Sequence, residues 1–582
     1  MNKILKYTNL GLPLFFGIIV FWFFGFNYLY HLHYQEQLQM FLFTTDYFTD
    51  LVSLPGGLSD YLGTFFTQFF YFSWLGAFVL TALLIVLQQL LVRFAKKLNV
   101  NNTFLPLTFI PSIFFVALFC DENYLLSSLI AAILVVLLAY SYTLIRKVIY
   151  RLPLLLLLLP AVYWMAGGTF WVFTILCLIY EWKIKQFGKF QWTIASCFSL
   201  ILIILLPITS HLFLQYPLSR LWWGVSYNRY PLASPVPLLV IWVSMLIIPF
   251  IISIIDGNKH KQIYLTVQIV LLLVGGGFLV MSVADWSKEE IMAYDYCVYK
   301  QDWKKVIWFA NHKDPSSPLS VTCLNLALAE DGKLGDAMFR YYQNGPEGLL
   351  PTFQRDFTSP FISGEVYYQL GFLNTSMRFA FEAMEAIPDY KKSSRAIQRI
   401  AEVNLLNDEN KVAVKYLKML QKTLFYKDWA TNALSCVGNE KLIDQNPAWA
   451  RLRKYRVKDD FLFSEMEKDQ MLGLLYTHCL KNKMAFEYLM AYTLLTKNLN
   501  HFMNYFTLGK NLGYKEIPAH FQEAMAFIWF SKYSTFDNCS LPIITPVKQN
   551  LTAYLRASQT CSEEEMSNRF SQTYWYYLQY RK

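Results

Sequence analysis

The chain has 582 residues, of which 55% are hydrophobic, 18% aromatic and only 16% charged, against about 25% charged in an ordinary soluble domain. This excludes a disordered chain and a wholly soluble enzyme. The net charge of +10 is concentrated in the apolar part, where residues 1–284 hold 15 Lys and Arg against 8 Asp and Glu while residues 285–582 hold 36 against 33; such a distribution orients membrane helices, and no nucleic-acid partner is expected.

A spanning helix needs about 20 apolar residues. Hydropathy puts candidate spans at 10–30, 65–92, 104–120, 124–145, 152–165, 169–180, 192–215, 236–255 and 264–284. The fifth and sixth are short and read either as a pair or as one long tilted helix through Gly167 and Gly168. Charge decides between these readings. With the N-terminus inside, the inner segments carry Lys3, Lys6, Arg93, Lys96, Lys97, Arg146, Lys147, Arg151, Lys183, Lys185, Lys189, Lys259 and Lys261, while the outer loops carry only Arg220 and Arg229. Merging the two short spans would move Lys183, Lys185 and Lys189 outside and break the positive-inside pattern, so nine spans are expected, with residues 285–582 outside. The first span is longer than a signal-peptide core, lacks an A-x-A site and is read as retained.

The outer loop after the first span, residues 31–64, contains no Lys or Arg. Its four carboxylates are Glu36, Asp46, Asp50 and Asp60. Asp46 and Asp50 share one face if their segment is helical, and Phe41, Phe43, Tyr47, Phe48 and Leu51 around them suit a helix lying in the membrane interface. Pro55, Gly56 and Gly57 break that helix and turn the chain toward the second span. The plain alternative is an interfacial connector whose acids point to water. Asp121 and Glu122 lie between the third and fourth spans, where Asp121 also suits a helix N-cap. The loop from Pro217 to Tyr230 supplies Arg220 and Arg229, whose guanidinium forks suit phosphate, together with Trp222 and Trp223, which suit either sugar stacking or an aromatic belt. His31 and His33 make a metal pair only in an extended segment, and no metal site is expected. No nucleotide loop, Ser/His/Asp order or zinc signature is present, so no cofactor is assigned.

From Trp286 onward, apolar residues recur at three- and four-residue spacing between short polar turns. Turns near Gly332, Asn374 and Asp408 separate successive helix pairs, with the small residues Ala327, Ala337, Gly371 and Ala380 placed where two helices of a pair would touch. The stretch from Met484 to Tyr492 reads as amphipathic. Arg451 to Lys458 reads either as a contact for anionic lipid or glycan or, more plainly, as a solvated helix face partly neutralised by Asp459 and Asp460. Of the nine cysteines, none forms a C-x-x-C pair; Cys539 and Cys561 read as either a disulfide or buried thiols.

Three resemblances follow from these residues. The helix pairs resemble tetratricopeptide repeats, which implies a solenoid that gathers partners along a concave face. The runs from His33 to Phe43, Leu54 to Tyr61 and Lys483 to Tyr492 look like those of an uncharacterised family of multi-pass membrane proteins in Bacteroidota, which implies a Gram-negative inner membrane with the C-terminal domain in the periplasm. The arrangement of an inside N-terminus, a long acidic first outer loop, a short acidic second one and an outer C-terminal domain is similar to the GT-C glycosyltransferases. That likeness implies a lipid-phosphate-linked sugar donor and an envelope glycan acceptor. By it, Asp46 or Asp50 would be the general base, Asp121 or Glu122 a second acid, and Arg220 or Arg229 the donor-phosphate contact, with Trp222, Trp223 and Asp60 beside the substrate. The expected class is therefore all-α: a polytopic membrane domain over 1–284 and a tetratricopeptide-like helical domain over 285–582. The expected function is sugar transfer by a GT-C-like glycosyltransferase of the inner membrane, and the alternative is a non-enzymatic membrane-anchored scaffold for envelope-assembly partners.

Overall fold

The computed structural model describes residues 2–185, 188–255, 261–389, 391–457 and 464–581. Helices dominate, and among the described residues the sole β-like feature is an isolated antiparallel bridge between Tyr124 and Asn228. The chain divides into two compact units, 1–286 with 387–394 and 422–427, and 287–386 with 395–421 and 428–582. Two short segments of the C-terminal half thus belong to the apolar unit.

In the first unit, the helices are α1 (Asn2–Trp22), α2 (Tyr30–Gln37), α3 (Thr45–Val52), α4 (Gly57–Thr67), α5 (Ser73–Lys97), α6 (Ile110–Leu118), α7 (Leu126–Thr143), α8 (Val148–Ala166), α9 (Phe170–Ile184), α10 (Lys189–Phe213), α11 (Leu218–Trp223), α12 (Val236–Ile254) and α13 (Lys261–Val283). Six apolar segments are long enough to cross a membrane, and a seventh is obtained when α1 and α2, bent by 77° at a π-helical turn, are taken as one span. Helices suit this role because every backbone group is satisfied within the segment. The expected third span begins as a 3-10 helix, Asn102–Phe109, before α6. Pro106 and Pro111 explain this, since neither offers a backbone N–H to a regular α-helix.

The stretch 148–184 is not one straight helix. Arg151 pairs with Glu181 at 3.4 Å and its guanidinium lies 5.4 Å from the Tyr180 ring, although a straight helix would separate residues 151 and 181 by roughly 45 Å. α8 and α9 therefore fold back on each other through Gly167, whose φ of +49° needs a glycine. Gly56, also at positive φ, packs its Cα side against Gly167 and donates its N–H to the carbonyls of Tyr163 and Trp164. Contacts among the connecting segments sort the helix ends into two sets. Tyr28, Cys120, Glu122, Ala166, Tyr227 and Arg229 gather at one end. Thr143, Arg151, Tyr180, Lys183 and Ser253 meet at the other.

The second unit starts with α14 (Trp286–Tyr299), α15 (Trp303–His312), α16 (Pro318–Glu330), α17 (Leu334–Ala337), α18 (Ser359–Leu370), α19 (Leu373–Glu385), α20 (Ser394–Leu406) and α21 (Asn410–Leu420). Side-chain caps from Asp302 and Ser317 start α15 and α16. Residues with φ near +69°, +101° and +65° at Gly332, Gly371 and Asp408 supply the turns, so the second turn falls at Gly371, three residues before the expected Asn374. The α18–α19 pair closes through Tyr367 stacked on Phe379 at 5.4 Å. The helix Lys483–Leu495, expected to be amphipathic, is buried on nearly every side, as a central core helix must be. Cys539 and Cys561 are free thiols.

Candidate functional site

The expected site residues fall into three groups. The first lies where the segment after α6 meets the loop after α11. Asp121 Oδ1 accepts from the backbone N–H and the side-chain amide of Asn123, both at 2.9 Å, so it closes its own turn rather than capping α7, whose N-cap position is Leu125. Glu122 is 1% exposed and lies 3.6 Å from His31 Nε2. Its backbone carbonyl accepts from the Arg229 guanidinium, and Arg229 N–H donates to the Asn123 carbonyl at 2.8 Å. Burial lowers the Arg229 pKa to about 10, and the nearby charges of Glu122, Asp121 and Asp389 limit the drop; the guanidinium therefore stays charged at neutral pH.

The second group is held by the returning segment 387–394. Arg220 forks onto both carboxylate oxygens of Asp389, the second contact at 2.8 Å, and also donates to the Val225 carbonyl. The rings of Tyr216 and Tyr230 lie 5.9 and 5.6 Å from its guanidinium. Asp60 in the first turn of α4 is 3% exposed and bonds Lys391 Nζ at 2.7 Å. Trp222 and Trp223 pack against the apolar core, with Trp223 stacked on Trp242 at 6.4 Å. Both side chains are only partly buried.

The third group stands apart. Asp46 and Asp50 lie on α3, which is helical as expected, and both are exposed. His31 and His33 sit on the buried helix α2, where His31 meets Tyr28 and Glu122 and His33 bonds Ser73 Oγ at 2.8 Å. They do not converge on one point, and among the described residues no group of three His, Cys, Asp or Glu is placed to hold a metal ion. Asp389 and Lys391, the partners of Arg220 and Asp60, were not legible as site residues. They follow Pro388 in what reads as an ordinary polar turn, 169 and 331 residues from the groups they hold.

Among the described residues, none of the principal cavities is lined by these groups. One cavity of about 270 Å³ is almost entirely apolar and lies between α1, α6 and α13, lined by residues such as Phe16, Phe109 and Gly276. A small, partly polar one of about 50 Å³ lies in the apolar unit beside Gln88, Gln89, Lys96 and Asn102. A larger polar one, about 170 Å³, lies in the second unit between α14, α18, α19 and α20, and its walls include Tyr299, Phe361, Glu365, Ser376, Arg399 and Glu402. Arg395 also lines it, bonded to Asp295 at 2.5 and 2.9 Å and sandwiched between the Tyr299 and Phe361 rings at 4.6 and 4.5 Å. Arg399 pairs with Glu365 and, at 2.8 Å, with Glu402, and lies 3.4 Å from the Tyr368 ring centroid. Burial raises the Glu365 pKa against the opposing pull of Arg399 and Arg395. For Arg399, burial alone would lower the pKa, and the carboxylates of Glu365 and Glu402 more than reverse it.

The basic run expected to be a solvated face is instead tied into this unit. Arg451 forks onto Glu330 at 2.9 Å and reaches Gln369, while Arg453 and Arg456 both meet Asp408. Lys458, Asp459 and Asp460, like Lys259 in the apolar half, lie outside the described residues.

No curated protein and no solved structure matches this chain. One family model does, and it runs from residue 3 to residue 581, through the apolar helices and the helical half alike; the protein accordingly belongs to the family of unknown function DUF6057.

Proposed function

We propose that the protein is a non-catalytic, membrane-anchored binding protein: the apolar half holds it in the bilayer and the helical half carries the binding surface. The observation that carries this reading is the contrast between the two polar groupings. Asp60, Glu122 and Arg229 are buried and Arg220 is half-buried, and all four are engaged by partners of the same unit, whereas the larger polar cavity lies in the helical half. Orientation follows from charge. Lys96, Lys97, Lys147, Lys183 and Lys189 all sit at helix ends of the set that includes Arg151, and the positive-inside rule puts that end in the cytoplasm. Counting α8 and α9 as two passes and adding the bent α1–α2 pair and the shorter apolar segment Asn102–Leu118 gives nine passes, and the helical half then faces outward, which in a Gram-negative inner membrane is the periplasm. The tetratricopeptide-like pairing suits partner binding there.

The GT-C-like transferase is the second reading. Its support is that Arg220 holds a carboxylate bidentately near Arg229, Asp121 and Glu122, an arrangement that would also suit a phosphate. The full chain in lipid nanodiscs, given polyprenyl-phosphate-linked hexoses and either water or a sugar acceptor, tests the two. The anchor reading expects no sugar release or transfer above empty nanodiscs. Turnover that falls with Glu122→Gln or Arg220→Lys overturns it in favour of the transferase.

A further inference from the structure

The polar cavity of the helical half is small and lined mainly by polar and charged residues. At about 170 Å³ it is smaller than the roughly 300 Å³ at which drug-sized pockets begin, room for one small polar molecule and not for a chain. Two aromatic side chains, Tyr299 and Phe361, contribute to its wall.

The polar groups then define the ligand's charge. Both guanidiniums are engaged, Arg395 by Asp295 and Arg399 by Glu365 and Glu402. Their faces are occupied as well, by Tyr299 and Phe361 in one case and Tyr368 in the other. Among the described residues, three carboxylates, Glu365 and Glu402 in the wall and Asp295 buried behind it, thus stand against two cations. A phosphate or carboxylate ligand would find no unmatched positive charge and would meet a negative surplus; hydroxyls and an ammonium would be accepted. An independent sign comes from Ser376. The residue is fully buried and lies in the cavity wall, and its hydroxyl has no hydrogen-bond partner in the protein, although a buried hydroxyl is ordinarily satisfied.

We infer that this cavity binds a single hexose-sized amino sugar, with its ammonium beside Glu365 and Glu402 and a ring hydroxyl on Ser376. This rests on the binding-protein reading above and specifies its ligand class.

Ligand-observed saturation-transfer NMR on the full chain in nanodiscs tests it, with glucosamine, glucose and glucose 6-phosphate as probes. Glucosamine is expected to bind several-fold more tightly than glucose, and glucose 6-phosphate most weakly of the three. Ser376→Val and Ala380→Leu, which fill the cavity, should abolish binding. Glu402→Gln, at the more open side, should remove the preference for the amine while glucose still binds. Unchanged size-exclusion profiles and circular dichroism separate this loss from unfolding, and the milder Ser376→Ala should weaken binding without filling space. Binding led by glucose 6-phosphate, no binding of any probe, or binding that survives both cavity-filling variants would overturn the inference. The two proposals fail separately: turnover of a lipid-linked sugar with amino-sugar binding intact refutes only the anchor reading, and silence of all three probes without turnover refutes only the sugar site.

Discussion

Breaking the pair between Asp295 and Arg395 should unsettle the helical half more than any surface change. Asp295 is fully buried, Arg395 is 3% exposed, and two hydrogen bonds of 2.5 and 2.9 Å join them. Asp295→Ala leaves a guanidinium enclosed between the Tyr299 and Phe361 rings with its principal carboxylate gone. Removing one partner of a buried pair costs about 3–5 kcal/mol. At about 2–4 °C per kcal/mol for a unit of this size, the corresponding fall in Tm is on the order of 10 °C. The chain contains two units and need not unfold in one step, so the sharper assay is hydrogen exchange on the full chain, read locally at α14 and α20. Protection there should collapse while α5 and α7 of the apolar unit keep theirs. The double variant Asp295→Leu with Arg395→Met removes both charges and keeps apolar volume, and should recover most of the loss, to within about 1–2 kcal/mol of the wild type. A single variant costing less than about 1 kcal/mol, or a double variant as unstable as the single one, would refute the account of a buried, mutually dependent pair.

Asp46→Asn and Asp50→Asn remove exposed charges on α3 and should each change stability by less than about 0.5 kcal/mol in thermal unfolding of the full chain; a larger loss would mean that α3 is not exposed in the membrane. The pH response of the α15–α16 connection should depend on Glu290. Burial works to raise this carboxyl, but the Ser316 N–H at 2.7 Å, the Ser316 hydroxyl and Lys313 together hold it below the usual glutamate range. A depressed folded-state pKa stabilises the charged form, so the contribution is complete above the unfolded glutamate value and is lost as pH falls through the lowered one. Exchange at the Ser316 amide should accelerate, relative to its intrinsic rate, over that acid window, and Glu290→Gln should abolish the pH step; a step of equal size in the variant would contradict the assignment.

The sequence revealed most where periodicity and charge act over short distances. Lys183, Lys185 and Lys189 could follow the sixth apolar stretch on the inner side only if the chain doubled back, and α8 and α9 do fold back at Gly167. The turns at Gly332 and Asp408 stood out because residues of those types adopt positive φ readily. What stayed hidden depends on distant pairing. Nothing local distinguishes Asp389 or Lys391 from solvent-facing turn residues, and their meaning appears only when segment 387–394 meets Arg220 and Asp60. The polar cavity left a fainter trace. Arg395 and Arg399 are four apart on α20, a like-charge spacing that disfavours an isolated helix, so acids from other helices were required; Asp295 and Glu365 supply them from α14 and α18. Glu402, three residues after Arg399, reads by itself as a common surface pair, which masked the network.

Structural clasping alone accounts for the pairing of the charges of the apolar unit. Within a bilayer, lipid tails are as apolar as the helix faces, so apolar matching alone gives a weak preference for one helix arrangement over another, and polar contacts fix the register. The pair of Arg220 with Asp389 joins segments 169 residues apart, and Asp60 with Lys391 joins segments 331 apart. Buried pairs of this kind contribute specificity more reliably than net stability. Exchange of charges tests the point. Arg220→Asp should break the contact and release segment 387–394, with faster hydrogen exchange there and a lower Tm; adding Asp389→Arg restores one cation and one anion to the same place and should regain part of both. A phosphate-binding Arg220 makes the opposite demand, because an arginine moved to position 389 would not rebuild a donor site on α11. Partial structural rescue by the exchanged pair supports a clasp, and failure of rescue in a folded double variant removes the argument that these charges serve to hold the chain together.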